Sequence, residues 1–583
     1  MAEGEIQTEM KPPGPFVRAW RLWNNSVRLQ MAVIVVVGLM GMAWFQLGPG
    51  MVSDGKGGTR LGYENVGLTD VDSYYHIKMG YMYRTGQMQQ AGANFHWTRE
   101  SIWNGAFSNK DFLFHIYLSP FTLLAKDGHD ADGLVAAGKL AATVQTVLLM
   151  LVLFGVLRGF GVKHAWFFVL FSFLLGGSYY VFRVNMCRSY LWSIALSLAG
   201  WLMIANRRRV PLFLITVIYT LAYTASHFLL LLVGVRAMAT LAIGPPEGST
   251  RWRELRADLL TGLVIIVGLA VGLLVHPEPG ATLHHWWVQN VVVLALSHQD
   301  SAGVAFDAFS RTVMGVNTNY ANGVDIALGA ELNEIKGRQL LFDNFAMFFT
   351  LILTPVLAAC MRWRPSREAV LTGATALAIY CLYLMNSRFI EYAAPFMAIA
   401  AGIWVTGIAK GRGYEAWTRR NQNLSQEGVG WLVVVLVVGS LGFWIGAGAS
   451  IRARDRGDIE PAARWLASHK EAHGKVVFHD FWHDFPHLFF YADECDYLIG
   501  LDPTFMVVKD RRKYELWRNI IKGKREDFVE KIRDDFKASY LLVNRGSSDY
   551  LYARCKEEAK AGRLELKIAD DADKWSLFEV VKP

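Results

Sequence analysis

The feature that most constrains this chain is a series of uncharged apolar blocks, each about 18 to 23 residues long. They recur up to roughly Gly448. Wound into a helix, a block of that length matches the hydrocarbon core of a bilayer. Spans are expected at about 29–49, 134–157, 165–182, 190–205, 210–225, 226–243, 258–275, 341–360, 369–386, 389–409 and 429–449. Composition agrees: 53% of the 583 residues are hydrophobic and 19% are charged, where a soluble chain carries about 25% charge. The expected fold is a multi-span α-helical membrane domain, residues 29–450, with about eleven transmembrane helices. A cytoplasmic segment, 1–28, precedes it and a small α/β domain, 451–583, follows.

Charge sets the expected orientation. Lys11, Arg18, Arg21 and Arg28 precede the first span and hold the N-terminus in the cytoplasm. Every later inner loop is then basic: Arg158 with Lys163, Arg207 to Arg209, Arg251 with Arg253 and Arg256, Arg362 with Arg364 and Arg367, and Lys410 with Arg412, Arg419 and Arg420. An error of one span would invert each of these. The formal net charge of +8 therefore belongs to a membrane surface rather than to nucleic acid. The outer loops are 51–113 and 276–340. The C-terminal domain is expected outside, in the periplasm or its equivalent, on a multi-pass inner (plasma) membrane protein. The first block is full length and follows a polar stretch, so no cleavable signal peptide is expected. The run ATLHHWWVQNVVVLALS within 276–340 reads as an interfacial or re-entrant helix.

Past Ile451 the pattern changes. IEPAARWLASH, REDFVEKIRDDF and LYARCKEEAKAG read as amphipathic helices; GKVVF, DYLIG, ASYLLV and WSLFEVV read as short buried strands. Strands alternating with helices point to an α/β domain. The chain has five cysteines with no CxxC pair, which excludes a disulfide framework and a thiolate zinc site. Cys495 and Cys555 share the soluble domain and could pair.

The outer loop after the first span carries GLTDVDSYYHIKMGYMYRTG. Asp70 and Asp72 are followed at once by Tyr74, Tyr75 and His76. Such carboxylates can hold a divalent cation, activate a nucleophile or face water. Arg388 lies between two apolar blocks at an outer turn, where an always-charged guanidinium suits a phosphate or a lipid headgroup. His479, His483 and His487 recur at i, i+4 and i+8 with Asp480 and Asp484 between them. If helical, adjacent imidazoles could ligate zinc or manganese; the same run also reads as an aromatic packing surface. His227 falls at the end of a span, and His276, His284 and His285 lie beside Trp286 and Trp287, a pair suited to an interfacial anchor.

Five segments in order resemble the catalytic subunit of oligosaccharyltransferases, members of the GT-C membrane glycosyltransferases. They are the Asp-aromatic-His loop at 70–76, GGSYYVFR at 176–183, ALGAELNE at 327–334, MNSRFIEYAAPFMAIAAG at 385–402, and AARWLASHKEAHGKVVFHDFWHDF leading to a WWDYG-like motif. The resemblance implies transfer of a sugar or oligosaccharide from a polyprenyl-phosphate or pyrophosphate carrier to an acceptor outside the membrane. It implies that Asp72 binds metal or engages the acceptor, that Glu331 contacts metal and acceptor, and that Arg388 meets the carrier phosphate. Asp70, His76, Trp482 and Asp484 stand around the acceptor by the same likeness. The expected partners are the polyprenyl-linked donor, the bilayer, a glycan or protein acceptor and other membrane proteins.

The chain departs from that family at two places. No acid lies between Arg183 and Trp192, where the family supplies two metal-binding carboxylates, and Arg188 stands there instead. Asp72 and Glu331 alone underfill the octahedral shell of Mn2+ or Mg2+, so Arg183 and Arg188 are expected to neutralise phosphate directly. The WWDYG counterpart is reduced to Trp482, Asp484 and Phe485, which weakens recognition of an N-x-Ser/Thr acceptor. The expected activity is an oligosaccharyltransferase-like glycosyl transfer. The alternatives are protein N-oligosaccharyltransfer itself, which would require Mn2+ or Mg2+, and a non-catalytic polyprenyl-glycan binding subunit of an envelope assembly complex.

Overall fold

A computed structural model describes residues 26–53, 59–88, 95–293, 345–421 and 457–581. Ten of its helices stand where the sequence places ten of the spans: α1 (Val27–Leu47), α4 (Ala131–Gly159), α5 (Ala165–Val184), α6 (Tyr190–Ala205), α7 (Arg209–Ala222), α8 (Phe228–Ile243), α9 (Arg251–Leu274), α11 (Phe345–Cys360), α12 (Arg367–Met385) and α13 (Ile390–Ala409). Six of these, with α13 joined to the turn before it, are long and apolar enough to cross a bilayer; the other four are shorter apolar helices. The expected spans at 429–449 and Glu331 lie outside the described residues. This is a helical membrane domain.

Local chemistry explains the helix ends. Ser26, Thr250 and Ser366 accept from the backbone N–H three residues on, at 3.2 Å each, and so cap α1, α9 and α12. α5 kinks at Gly177, whose φ of 68° a side chain would resist. The contacts between helix ends sort into two faces. On one, Arg236 meets Asp258 at 3.1 Å, and Arg207 pairs with Glu254. On the other, Gln46 Nε2 donates to the Asn185 carbonyl at 2.6 Å, and Arg388 meets Tyr223.

The loop after α1 is structured. A hairpin, β1 (Pro49–Ser53) with β2 (Thr59–Tyr63), leads to α2 (Asp72–Arg84) and α3 (Phe112–Leu118). Gly80 lets α2 close on α3, because a Cβ there would stand 2.7 Å from Leu118 Cβ. The HHWW run forms a nine-residue helix, α10 (Pro279–Trp287).

Residues 457–581 hold helices and a five-stranded sheet. The sheet runs β4 (Asp496–Tyr497), β3 (Val476–His479), β5 (Ala538–Asn544), β7 (Trp575–Val580), β6 (Leu564–Ala569). β3 is parallel to β4 and β5, and β7 is antiparallel to both its neighbours. The sequence reading missed β6 and the helices Phe485–Tyr491, Thr504–Lys509 and Arg511–Ile521. Cys495 and Cys555 are separately buried free thiols.

The loop after α1 extends this sheet. Tyr497 N donates to the Trp97 carbonyl at 2.8 Å, and Arg99 N returns a bond to Tyr497 O at 2.7 Å. Ion pairs flank the join: Lys78 to Asp493 at 2.7 Å, Arg99 to Asp496 at 2.7 Å and Lys513 to Glu100 at 2.6 Å. Beneath them Tyr74, Tyr75, Phe95, Trp97 and Trp103 share one core with Phe485, Phe489 and Phe490. The domain is therefore seated on the loop that carries Asp70 and Asp72.

Candidate active site

Asp72 opens α2, and Asp70 sits in the turn before it. Arg188, in the turn between α5 and α6, reaches both. Its Nε donates to Asp70 Oδ2 at 2.6 Å, and its Nη2 contacts Asp72. Ser73 donates to the other Asp70 oxygen, and the Cys187 N–H donates to Ser73 Oγ at 3.0 Å. All three charged side chains are mostly buried. The turn that lacks an acid thus delivers a cation to the two carboxylates 116 and 118 residues earlier.

That geometry decides how well a divalent cation fits here. Mn2+ and Mg2+ need carboxylate oxygens that converge on an open position. A guanidinium already spans Asp70 and Asp72. The residues present do not fit the expected metal at this pair.

Two pockets border the cluster. The larger, about 800 Å³, lies between the loop and the C-terminal domain. Asp70, Tyr74, His483, Asp484, His487 and Asn544 are among its walls; Trp482 and Asp72 are not. Asp484 is held by a 2.6 Å bond from Asn544 Nδ2. Burial pushes its pKa up to about 8, against the smaller lowering from Asn544, so it is an uncharged donor near neutral pH. Asp480 behind it is also pushed well up by burial, and then by Asp484.

The smaller pocket, about 200 Å³, is lined by Lys110, Tyr223, His227, Leu273, His285 and Trp286 among others. Arg388 Nη2 donates to Tyr223 Oη at 2.9 Å, and Lys110 Nζ lies 5.8 Å from the Tyr223 ring centre. Two cations therefore flank one tyrosine at the predicted outer ends of the spans. Lys110 also pairs with Asp111 at 2.8 Å, and Ser189 Oγ donates to Asp111 at 2.6 Å. The chain Lys110–Asp111–Ser189–Arg188–Asp70 links the two pockets. Sequence reasoning missed Lys110; its one signal was a Lys110–Asp111 pair directly before the apolar-aromatic run FLFHIYL.

Two expectations change. Arg183 does not join this site. It is 2% exposed, its Nε donates to Glu391 Oε1 at 2.6 Å, and its guanidinium sits 4.5 Å over Tyr190. A buried charge must find its partner locally, and Glu391 supplies it. The histidine run does not share a helical face either. His479 ends β3, His483 sits in a 3₁₀ turn, and Pro486 starts a new helix that carries His487. His483 and His487 face the large pocket, but His479 accepts no part in it and bonds the Phe481 carbonyl at 2.9 Å. The described residues bring together two other possible metal groups, His76 with Asp111 and His115, and His129 with Asp493 and Glu494.

No protein-family model matches the chain, and no curated protein matches it. Solved structures do match, and the likeness is one of fold. The oligosaccharyltransferase of Archaeoglobus fulgidus, in its apo form, aligns with a TM-score of 0.59 at 11% identity over 92% of this chain and 72% of that one. The same enzyme in complex with zinc and sulfate aligns at 0.54 and 12% identity, over 90% and 69%. ArnT from Cupriavidus metallidurans, apo, aligns at 0.52 and 14% identity over 97% of this chain and 98% of its own.

Proposed function

We propose that this chain is a membrane glycosyltransferase that moves a sugar or oligosaccharide from a polyprenyl-phosphate or pyrophosphate carrier to an acceptor at the outer face of the inner membrane. The observation that carries the reading is the pairing of two pockets across one charged cluster. The small pocket has apolar walls at the span ends and two cations beside Tyr223; the large one is polar and lies under the C-terminal domain.

The reaction is an inverting displacement at the anomeric carbon. The acceptor enters the large pocket past Asp70, His483 and Asp484. Asp72, beside Asp70 across Arg188, takes the proton of the attacking hydroxyl or amide. The carrier phosphate leaves as the bond to the anomeric carbon breaks. Lys110 and Arg388 receive its charge; fixed cations in a site that excludes water stabilise such charge without reorganising. Arg188 holds Asp70 and Asp72 in place. The polyprenyl tail lies in lipid between spans. The full count of eleven spans, the cytoplasmic N-terminus and the outer C-terminal domain belong to the same reading.

Lipid carried through purification tests it. The full chain in detergent is extracted with organic solvent and analysed by mass spectrometry. A polyprenyl-phosphate sugar should accompany the native chain and fall at least tenfold in a Lys110→Ala, Arg388→Ala double variant. No such lipid, or equal amounts in both, would falsify the donor site. The guanidinium lodged between Asp70 and Asp72 favours one other reading, a subunit that binds the polyprenyl glycan without turnover. Transfer that disappears in Asp72→Asn while lipid retention persists separates the enzyme from that binder.

A further inference from the structure

We infer that His76, His115 and Asp111 form a binding site for a divalent transition metal, with zinc as the best chemical match, separate from the carboxylate pair at Asp70 and Asp72. One ligand atom from each residue lies within 4.8 Å of the other two, and all three residues are buried. His76 Nδ1 and His115 Nε2 are 2.9 Å apart.

The surroundings are those of a ligand set already oriented. Asn109 Nδ2 donates to Tyr83 Oη at 2.6 Å, which turns its Oδ1 towards His115 Nδ1 at 2.8 Å. His115 therefore carries its proton on Nδ1 and presents the Nε2 lone pair to His76. A metal-bound imidazole has this same outer hydrogen bond, which fixes its tautomer. Ser189 Oγ holds one Asp111 oxygen at 2.6 Å. Tyr75 and Phe114 pack against His76, and Tyr83 stacks on His115, so water has little access.

Two nitrogens and one carboxylate oxygen, with a fourth position open, match zinc in tetrahedral coordination. Bonds of about 2.1 Å put tetrahedral ligand atoms about 3.4 Å apart. Binding would spread the imidazoles by roughly half an ångström and draw Asp111 in. Lys110 is the obstacle, since its ammonium now neutralises Asp111 at 2.8 Å. It is also the exchange partner, because Lys110 lines the small pocket and can swing into it when a dication replaces it on Asp111. The ion would tie α2, which begins at Asp72, to α3, and free Lys110 towards the pocket.

The test is metal binding by the full-length chain in detergent after chelator treatment, using cobalt and then zinc as probes. The native chain should take up one equivalent of cobalt with the visible bands of a four-coordinate ion, and zinc should displace it. His115→Gln and His76→Ala should each weaken binding at least a hundredfold. Asn109→Ala should weaken it by about ten- to a hundredfold. Lys110→Met should tighten it at least tenfold, by removing the competing cation. His129→Ala, in the exposed His129–Asp493–Glu494 group, should leave it unchanged. Substoichiometric metal in the native chain, full binding by the His115→Gln variant, an unchanged affinity in Lys110→Met, or loss in His129→Ala would each overturn the assignment. None of these readouts depends on glycosyl transfer.

Discussion

The pair Arg183–Glu391 offers the sharpest division between a structural and a phosphate-binding arginine. Both side chains are almost fully buried, at 2% and 1% exposure, and Arg183 Nε lies 2.6 Å from Glu391 Oε1. Removing one partner of such a pair strands a charge among apolar groups and costs about 3–5 kcal/mol. Replacing both by leucine removes the desolvation cost along with the attraction, and such replacements run from neutral to about 4 kcal/mol stabilising. Arg183 also covers the Tyr190 ring at 4.5 Å, a contact worth about 0.5–2 kcal/mol that the double variant loses. Arg183→Leu and Glu391→Leu should therefore each destabilise by about 3–5 kcal/mol, and the double variant by less than about 2. The coupling energy is then several kcal/mol, far above what independent sites show. Unfolding titrations in mixed detergent micelles, read by tryptophan fluorescence, give all four corners of the cycle. Additive losses would refute the argument. So would a double variant that is stable yet no longer retains donor lipid, because that would return Arg183 to the phosphate.

Two further outcomes follow from the C-terminal domain and its seat. Asp484, raised by burial to about 8, starts from about 3.9 in the unfolded chain. Its folded state holds the proton more tightly, so it stabilises fully at low pH and loses that stability as pH rises towards 8. The buried imidazoles His115 and His487, lowered by burial to about 4 and about 3, act oppositely, but only below about 6.5. Melting temperature should therefore fall between pH 6.5 and 8, and Asp484→Asn should flatten that slope; an unchanged slope would sink the assignment. Lys78→Met removes the partner of Asp493 from a contact that is buried on the lysine side. It should loosen the domain from the loop by about 1–3 kcal/mol and speed proteolysis near residue 457, with no change in the helical signal by circular dichroism.

What could be read from sequence was what depends on local period. Ten apolar blocks became helices because each carries its own length and hydropathy. Strands β3, β4, β5 and β7 are buried runs and announce themselves; β6, LELKIA, is a half-exposed edge with a burial pattern too mixed to show period two. The histidine run offers a ligand face only if helical, and its helix begins at Phe485, past His479 and His483; the packing-surface reading fits Phe485, Phe489 and Phe490 in the core. The site was half legible. Asp70, Asp72 and Arg188 could be picked out, but not that they touch, since their separation in sequence carries no pairing information. His115 and Lys110 belong to no motif; only the crossing of α2 over α3 gives them partners.

The exchange of an acid for Arg188 has a consequence that chemistry alone can check. A guanidinium holds two carboxylates together by fixed, bidentate bonds; a divalent cation does so by coordination that needs further oxygens. Arg188→Glu reverses the choice. It removes the cation that meets Asp70 at 2.6 Å and Asp72 beside it and puts a third carboxylate in its place. Three buried acids repel, so the variant should be destabilised in chelator. Mn2+ prefers oxygen ligands and should restore it. Both the gain in melting temperature with Mn2+ and a bound Mn2+ spectrum by electron paramagnetic resonance should appear in the variant and not in the parent. A His115→Ala background for both chains removes the imidazole group from the comparison. If the parent binds Mn2+ as well as the variant does, Arg188 is not occupying a cation's place. If the variant ignores Mn2+, the carboxylates do not converge. The balance between a resident arginine and an exchangeable ion at Asp70 and Asp72 then reduces to one side chain.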